Sequence, residues 1–358
     1  MTVLHVSAGR LYGGVETVLA QLAAHRHLCP AMDPHFAVCF DGRLASELRA
    51  VGAPLHMLGA VRARNPLSVL AARRRLAALL SGFDVVVNHL PWAHALFGSL
   101  ARRAHSRLVL WLHGAFSGAH WTERAARRVK PDLVLCCSRW VRDTASRWFP
   151  HVSVETFYPA IHFGPPPDPA PAPDPPLIIQ VSRMEEWKGH RVLLEALGTL
   201  RDSHPWRCRI VGGAQSPREQ RYLDSLVRLA GSLGIADRVE FLGHRGDVRR
   251  LLGEAAIFCQ PNLEPEPFGV VFLEALSAGV PVVTSAAGGG AEIVDPSCGR
   301  LVPAGDPAAL ASVLAELLEQ EPLRRSLGAA GPLRARQLCD PRRQLGALQA
   351  LLAGASTP

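Results

Sequence analysis

Lysine is nearly missing from this chain: of its 39 basic residues only Lys130 and Lys188 are lysine. Arginine therefore serves almost every surface cation, and the compact ammonium charge is kept for two places. No run of about 18 uncharged apolar residues occurs, which excludes a spanning helix. The N-terminus enters the strand-like Thr2-Val3-Leu4-His5-Val6 with no basic leader or apolar signal core, so a cytoplasmic protein is expected. The eight cysteines include no CxxC pair and no regular spacing, which excludes a disulfide framework or a zinc ribbon. Reduced, buried thiols are expected instead, the adjacent Cys136 and Cys137 included. An Asp-x-Asp metal signature is missing as well, and no metal or other cofactor is expected. Neither an aromatic-interleaved basic platform nor a helix-turn-helix pattern is present, which argues against nucleic acid as a partner.

What is present is apolar material: 48% of the 358 residues are hydrophobic and 20% charged, enough for two domains of buried sheets covered by helices. Continuous apolar runs at Val3 to Ser7, His35 to Phe40, Pro54 to Leu58, Asp84 to His89, Leu108 to His113 and Leu133 to Cys137 alternate with segments of helical period. This rhythm predicts a parallel, doubly wound α/β sheet. Positions 159–176 then hold nine prolines in eighteen residues, an extended connector that can be neither helix nor central strand. The rhythm resumes at Leu177 to Ser182, Cys208 to Gly212, Val239 to Leu242, Ala256 to Gln260 and Pro281 to Thr284. The expected organisation is a first domain over 1–160, a linker over 161–176, a second domain over 177–337 and a helical tail over 338–358. Two such sheets place ligands beyond the carboxyl ends of their strands, in a cleft between the domains.

Charge divides unevenly, with 19 Arg/Lys against 9 Asp/Glu in residues 1–160 and 20 against 22 in the remainder. The basic half predicts an anionic partner such as a phosphate-bearing substrate or a membrane surface. Within it, Pro66 to Leu80 sets apolar residues at helical spacing beside Arg73-Arg74-Arg75, with Arg62 and Arg64 just upstream. That segment suits either a helix lying on anionic headgroups or a surface helix packing its leucines on the sheet.

Three segments carry chemistry. Gly13-Gly14-Val15-Glu16 follows the first strand and opens a helical pattern, where missing side chains let backbone N–H groups approach an anion; a tight turn alone would look the same. Ser182-Arg183-Met184-Glu185-Glu186-Trp187-Lys188-Gly189-His190 sets two cations five apart between a strand and a helix. They suit a diphosphate, or else two solvated surface positions. Glu266 and Glu274 stand eight apart in Glu266-Pro267-Phe268-Gly269-Val270-Val271-Phe272-Leu273-Glu274. Pro267 biases Glu266 toward a loop and Glu274 falls inside the following helix, where a carboxylate among apolar residues needs a partner such as a ribose diol.

These segments, with Phe241 to Val248 (FLGHRGDV), Gly288 to Val294 (GGGAEIV) and Leu112-His113-Gly114, resemble the retaining GT-B glycosyltransferases of glycosyltransferase family 4. The match covers nearly all of the second domain and, less specifically, the first. The resemblance implies that Arg183 and Lys188 hold a donor diphosphate, Glu274 the ribose hydroxyls and Glu266 the hydroxyls of the transferred sugar. It also implies that the backbone at Phe268, Gly269 and Val270 contacts the sugar or phosphates, that Gly13 and Gly14 close over the diphosphate, and that His113 touches the donor sugar. Tyr158 to Phe163 and the polyproline connector depart from the family pattern at the hinge.

The expected activity is therefore transfer of a sugar from a nucleoside diphosphate to a hydroxyl acceptor, lipid-linked, glycan or small molecule, without a metal. On this reading the protein is cytoplasmic, or peripheral on the inner face of the plasma membrane. A nucleotide-sugar 2-epimerase and a non-catalytic nucleotide-sugar-binding subunit are the rival readings; turnover of the donor separates them.

Overall fold

Strands that are apolar at nearly every position bury both faces, and here they form two all-parallel sheets. The computed structural model describes residues 1–10, 12–164 and 174–354. Two compact units result: Met1–His162 together with Cys339–Pro358, and Phe163–Leu338. Positions 165–173 of the expected connector lie outside the described residues.

The first unit holds β1 (Thr2–Ser7), β2 (Asp33–Val38), β3 (Leu55–Met57), β4 (Val85–His89), β5 (Arg107–Leu112), β6 (Leu133–Cys136) and β7 (Ser153–Thr156), in spatial order β3-β2-β1-β4-β5-β6-β7. The order reverses between β1 and β4, which pair in parallel with His5 opposite Val87. One sheet face is covered by Val18, Leu19 and Leu22 of the helix Gly14–Ala24 and by Leu345, Leu348 and Leu352 of the helix Pro341–Ala353. On the other face Leu4, Val6, Val86 and Leu108 pack with Ala72 and Leu76 of the helix Pro66–Leu79 and Phe97 of the helix Leu90–Arg103.

The second unit repeats the pattern with β8 (Leu177–Val181), β9 (Arg207–Val211), β10 (Val239–Gly243), β11 (Ile257–Gln260), β12 (Val282–Ser285) and β13 (Gly299–Val302), in order β10-β9-β8-β11-β12-β13. Here the reversal falls between β8 and β11. Ile178, Ile210, Ile257 and Val283 pack with Leu193, Leu197 and Leu314 from the helices. Asn65, Ser216 and Asp306 each accept backbone N–H bonds at a helix start followed by proline, which fixes where those helices begin.

Two strands, β7 and β13, escape the sequence reading. Each is a four-residue strand at a sheet edge with exposed or half-buried positions, Ser153 and Leu301 among them, so no apolar run announces it. All eight cysteines are free and buried.

The helical tail becomes Pro341–Ala353, and Arg107 Nη1 of β5 donates to the Leu352 carbonyl at 2.8 Å. With Leu348 only 1% exposed in the first unit's core, Leu348→Ala should cost about 2–4 kcal/mol. Urea unfolding measures this, and an unchanged midpoint would show that the tail contributes nothing to that core.

Candidate active site

Both order reversals carry the residues singled out by sequence, as expected of open α/β sheets, whose ligand sites lie beyond the carboxyl ends of strands at the switch point. In the second unit the chain leaves β8 through Ser182 to His190. This turn braces itself: Ser182 Oγ lies 2.9 Å from Nε2 of the buried His190, and Gln180 Nε2 donates to the Lys188 carbonyl at 2.8 Å. Gly189 has φ of 74°, and a Cβ there would run into the Pro261 carbonyl oxygen. Only glycine permits the turn to press against the loop after β11.

That pressing joins Lys188 to Glu266. Lys188 Nζ donates to Glu266 Oε2 at 2.7 Å, with the two side chains 12% and 11% exposed. The ammonium also lies 3.8 Å from the centroid of the Trp187 ring. Burial lowers its pKa while Glu266 opposes the shift. Asn262 Nδ2 and Gln260 Nε2 donate to the same Oε2 at 2.9 and 3.3 Å. Oε1 is left without a partner among the described residues. Gly289 N donates to the Glu266 carbonyl at 2.6 Å and Gly288 bridges to Glu266, so the Gly288 to Val294 segment pins the backbone of this carboxylate.

Arg183 is placed differently. Its guanidinium is 42% exposed and pairs with Glu185 Oε2 at 2.8 Å, to which Trp187 Nε1 also donates at 2.8 Å. Of the two cations, the buried, paired Lys188 is no solvated surface position, while Arg183 stands at the rim of the same turn.

Phe268 is buried and Gly269 takes φ of 100° at the start of the helix Val270–Ser277, where a Cβ would press the Phe272 ring. The first N–H groups of that helix have no intrahelical acceptor. Glu274 lies one turn further in, half-buried, its carboxylate without a hydrogen-bond or ion-pair partner among the described residues. Burial pushes its pKa up to about 7.

In the first unit, Gly13 caps the helix Gly14–Ala24 with an extended backbone, its N–H donating to Glu16 Oε2 at 3.1 Å. A Cβ there would meet only that carboxylate, at 3.9 Å. Local geometry does not demand glycine, and the missing side chain leaves the ground before the helix N-terminus open. His113 follows β5, half-buried and stacked on Trp111 with ring centroids 5.1 Å apart. His113 Nε2 lies 2.9 Å from Nδ1 of His89 at the end of β4, and His89 Nε2 lies 3.0 Å from Nδ1 of His5 on β1. Leu90, directly after His89, is held at φ of 72°, a region leucine avoids, so backbone strain is stored beside this row.

The members of the arginine triplet are placed differently from one another. Arg73 donates to the Leu96 carbonyl and, at 3.0 Å, to Ser99 Oγ, while Arg75 donates to the Leu58 carbonyl at 2.8 Å. Both tie the helix Pro66–Leu79 to its neighbours. Arg74 alone of the three, with Arg62 and Arg64, has a guanidinium without a partner among the described residues. The leucines divide likewise: Leu76 is buried, whereas Leu67 and Leu70 are 75% and 45% exposed.

Sequence reasoning missed Gln260 and Asn262 as props of Glu266, and His5 and His89 as neighbours of His113. Gln260 closes the apolar run Ala256 to Gln260, so a polar residue at a strand end was a usable signal. The histidines come from three separate strands, and only the sheet order brings them together.

The unpartnered Glu274 yields a pH test. Its pKa near 7, against an ordinary 4.5, means that the native chain binds the proton more tightly than the unfolded one. This contribution favours the fold fully below the unfolded value and is lost as pH rises through about 7, a swing of about 3 kcal/mol. Glu274→Gln should therefore stabilise the free protein at about pH 8 and leave it unchanged below about pH 5. Thermal unfolding at both pH values decides; equal shifts at both would show that Glu274 does not titrate in this range.

Comparison with known proteins follows the same division of the chain. Residues 166–334 match the family profile described as glycosyl transferases group 1, and residues 12–163 that described as glycosyltransferase family 4. A GDP-mannose-dependent alpha-(1-6)-phosphatidylinositol monomannoside mannosyltransferase of Mycolicibacterium smegmatis is 33% identical over 268 residues, 66% of this chain and 68% of that protein. A phosphatidyl-myo-inositol mannosyltransferase of Mycobacterium leprae is 37% identical over 151 residues, 41% of this chain and 38% of its own length. The crystal structure of HepE from Anabaena in complex with UDP and glucose has a TM-score of 0.86 at 22% identity, covering 99% of this chain and 100% of that one. That likeness is one of fold, the two-sheet GT-B architecture. Profiles over both units and a relative matched across two thirds of its length agree: the chain belongs to glycosyltransferase family 4.

Proposed function

We propose that the chain transfers a sugar from a nucleoside-diphosphate sugar to a hydroxyl acceptor with retention at the anomeric carbon and without a metal. The observation that carries this reading is Glu266, held through Oε2 by Lys188, Asn262 and Gln260 with Oε1 free, eight residues ahead of the unpartnered Glu274. A carboxylate so held can position sugar hydroxyls through its free oxygen, and Glu274 suits a ribose diol. Lys188 and Arg183 supply positive charge for the leaving diphosphate, whose own oxygen accepts the acceptor's proton. GDP-mannose and an inositol-phosphate lipid are the first substrates to assay, because the mycobacterial relatives are named for them.

Lys188→Ala should lower kcat/KM by a factor corresponding to about 2–4 kcal/mol, because its charge is needed most as the diphosphate departs. EDTA should leave the wild-type rate unchanged. The reading is falsified if the variant turns over at the wild-type rate, or if EDTA abolishes a rate that Mg²⁺ or Mn²⁺ restores.

We further propose that the first unit docks on anionic membranes as a peripheral surface; no helix among the described residues is long and apolar enough to cross one. Support comes from the exposed Leu67 and Leu70 beside the unpartnered Arg62, Arg64 and Arg74. Each cation near anionic headgroups contributes about 1 kcal/mol, screened by salt. In flotation at low salt the protein should rise with anionic but not neutral vesicles. Exchanging Arg62, Arg64 and Arg74 for glutamate should abolish this without altering thermal stability. Indifference of the wild type to anionic vesicles would sink the proposal.

A further inference from the structure

The row runs from His5 inside β1 through His89 at the end of β4 to His113 just after β5, and its two ring-to-ring contacts are 3.0 and 2.9 Å long. His5 and His89 are each 1% exposed, and His113 is half-buried. Phe36 stacks on His5 at 5.6 Å and Trp111 packs against His89 at 5.0 Å, so the rings are walled by aromatic faces. Among the described residues no carboxylate, hydroxyl or cation hydrogen-bonds any of the three. Burial keeps them neutral, with His5 and His113 lowered to about 3 and His89 well below its ordinary value.

A neutral imidazole has one N–H and one lone pair. His89 uses both nitrogens in the row, so its two hydrogen bonds must run in the same direction. Three rings carry three N–H protons and the two contacts use two of them. The third sits at one end: on His5 Nε2, which is buried with no partner, or on His113 Nδ1, at the half-buried end where water or a ligand can accept it. A buried N–H without an acceptor is the costlier orphan. The protons therefore lie on His5 Nδ1, His89 Nδ1 and His113 Nδ1.

We infer that His5 and His89 are positioning residues that fix His113 as a hydrogen-bond donor through Nδ1, so that it selects an acceptor oxygen on the bound sugar. Free histidine prefers its proton on Nε2; the row reverses that preference. The inference rests on the reading that places His113 at the donor sugar.

Long-range proton–nitrogen spectra of the full chain with ¹⁵N-labelled histidine at neutral pH report the tautomer directly. Wild-type His113 should show a protonated Nδ1 and a bare Nε2. His89→Asn sets an amide N–H₂ where Nδ1 stood and should keep that form. His89→Leu should lose it, with kcat/KM falling about tenfold while protection from thermal unfolding by GDP or UDP is unchanged. A wild-type His113 protonated on Nε2, or a folded His89→Leu that keeps Nδ1–H, overturns the inference. His113→Ala with undiminished activity, in a protein whose wild type shows the stated tautomer, overturns instead the placement of His113 at the sugar.

Discussion

The second unit's site depends on one buried ion pair. Two charges removed from water are costly unless their remaining hydrogen-bonding capacity is met, and losing one partner of such a pair typically costs about 3–5 kcal/mol. Lys188 and Glu266 meet that demand through Asn262, Gln260 and the Trp187 face. The main chain supports the arrangement from both sides: Gly189 lets one turn approach the other, and Gly288 and Gly289 hold Glu266 from behind. The glycines and amides of these segments are thus explained by a single requirement, to hold a lysine against a carboxylate while one of its oxygens stays free.

The first unit solves a different problem with different means. It offers no buried ion pair near β1 and β4 among the described residues, but a helix start cleared of side chains and a file of neutral rings. Both present N–H groups, which suits oxygen-rich, anionic ligands without placing a fixed charge beside them. The arginines of the helix Pro66–Leu79 serve two ends, Arg73 and Arg75 stapling carbonyl groups and Arg74 facing water.

Much of this was legible in residue order. Strands buried on both faces announce themselves as apolar runs, so eleven of the thirteen strands among the described residues were readable, and the edge strands Ser153–Thr156 and Gly299–Val302 were not, because each carries exposed and half-buried positions. Glu266 in a loop and Glu274 in a helix followed from Pro267 alone. What could not be read is adjacency across strands. Nothing at positions 5, 89 and 113 ties them together until β1, β4 and β5 lie side by side. Nor does a triplet of arginines say which members bend back onto backbone oxygens.

The scarcity of lysine has a practical corollary once the two ammonium groups are located. Lys188 is sequestered under Glu266 and Trp187, whereas Lys130 lies exposed on the first unit. Acylating reagents would then find Lys130 and pass over Lys188. A dye, a biotin or a resin can thus be attached at a known point of the first unit, leaving the Lys188–Glu266 pair of the second chemically untouched.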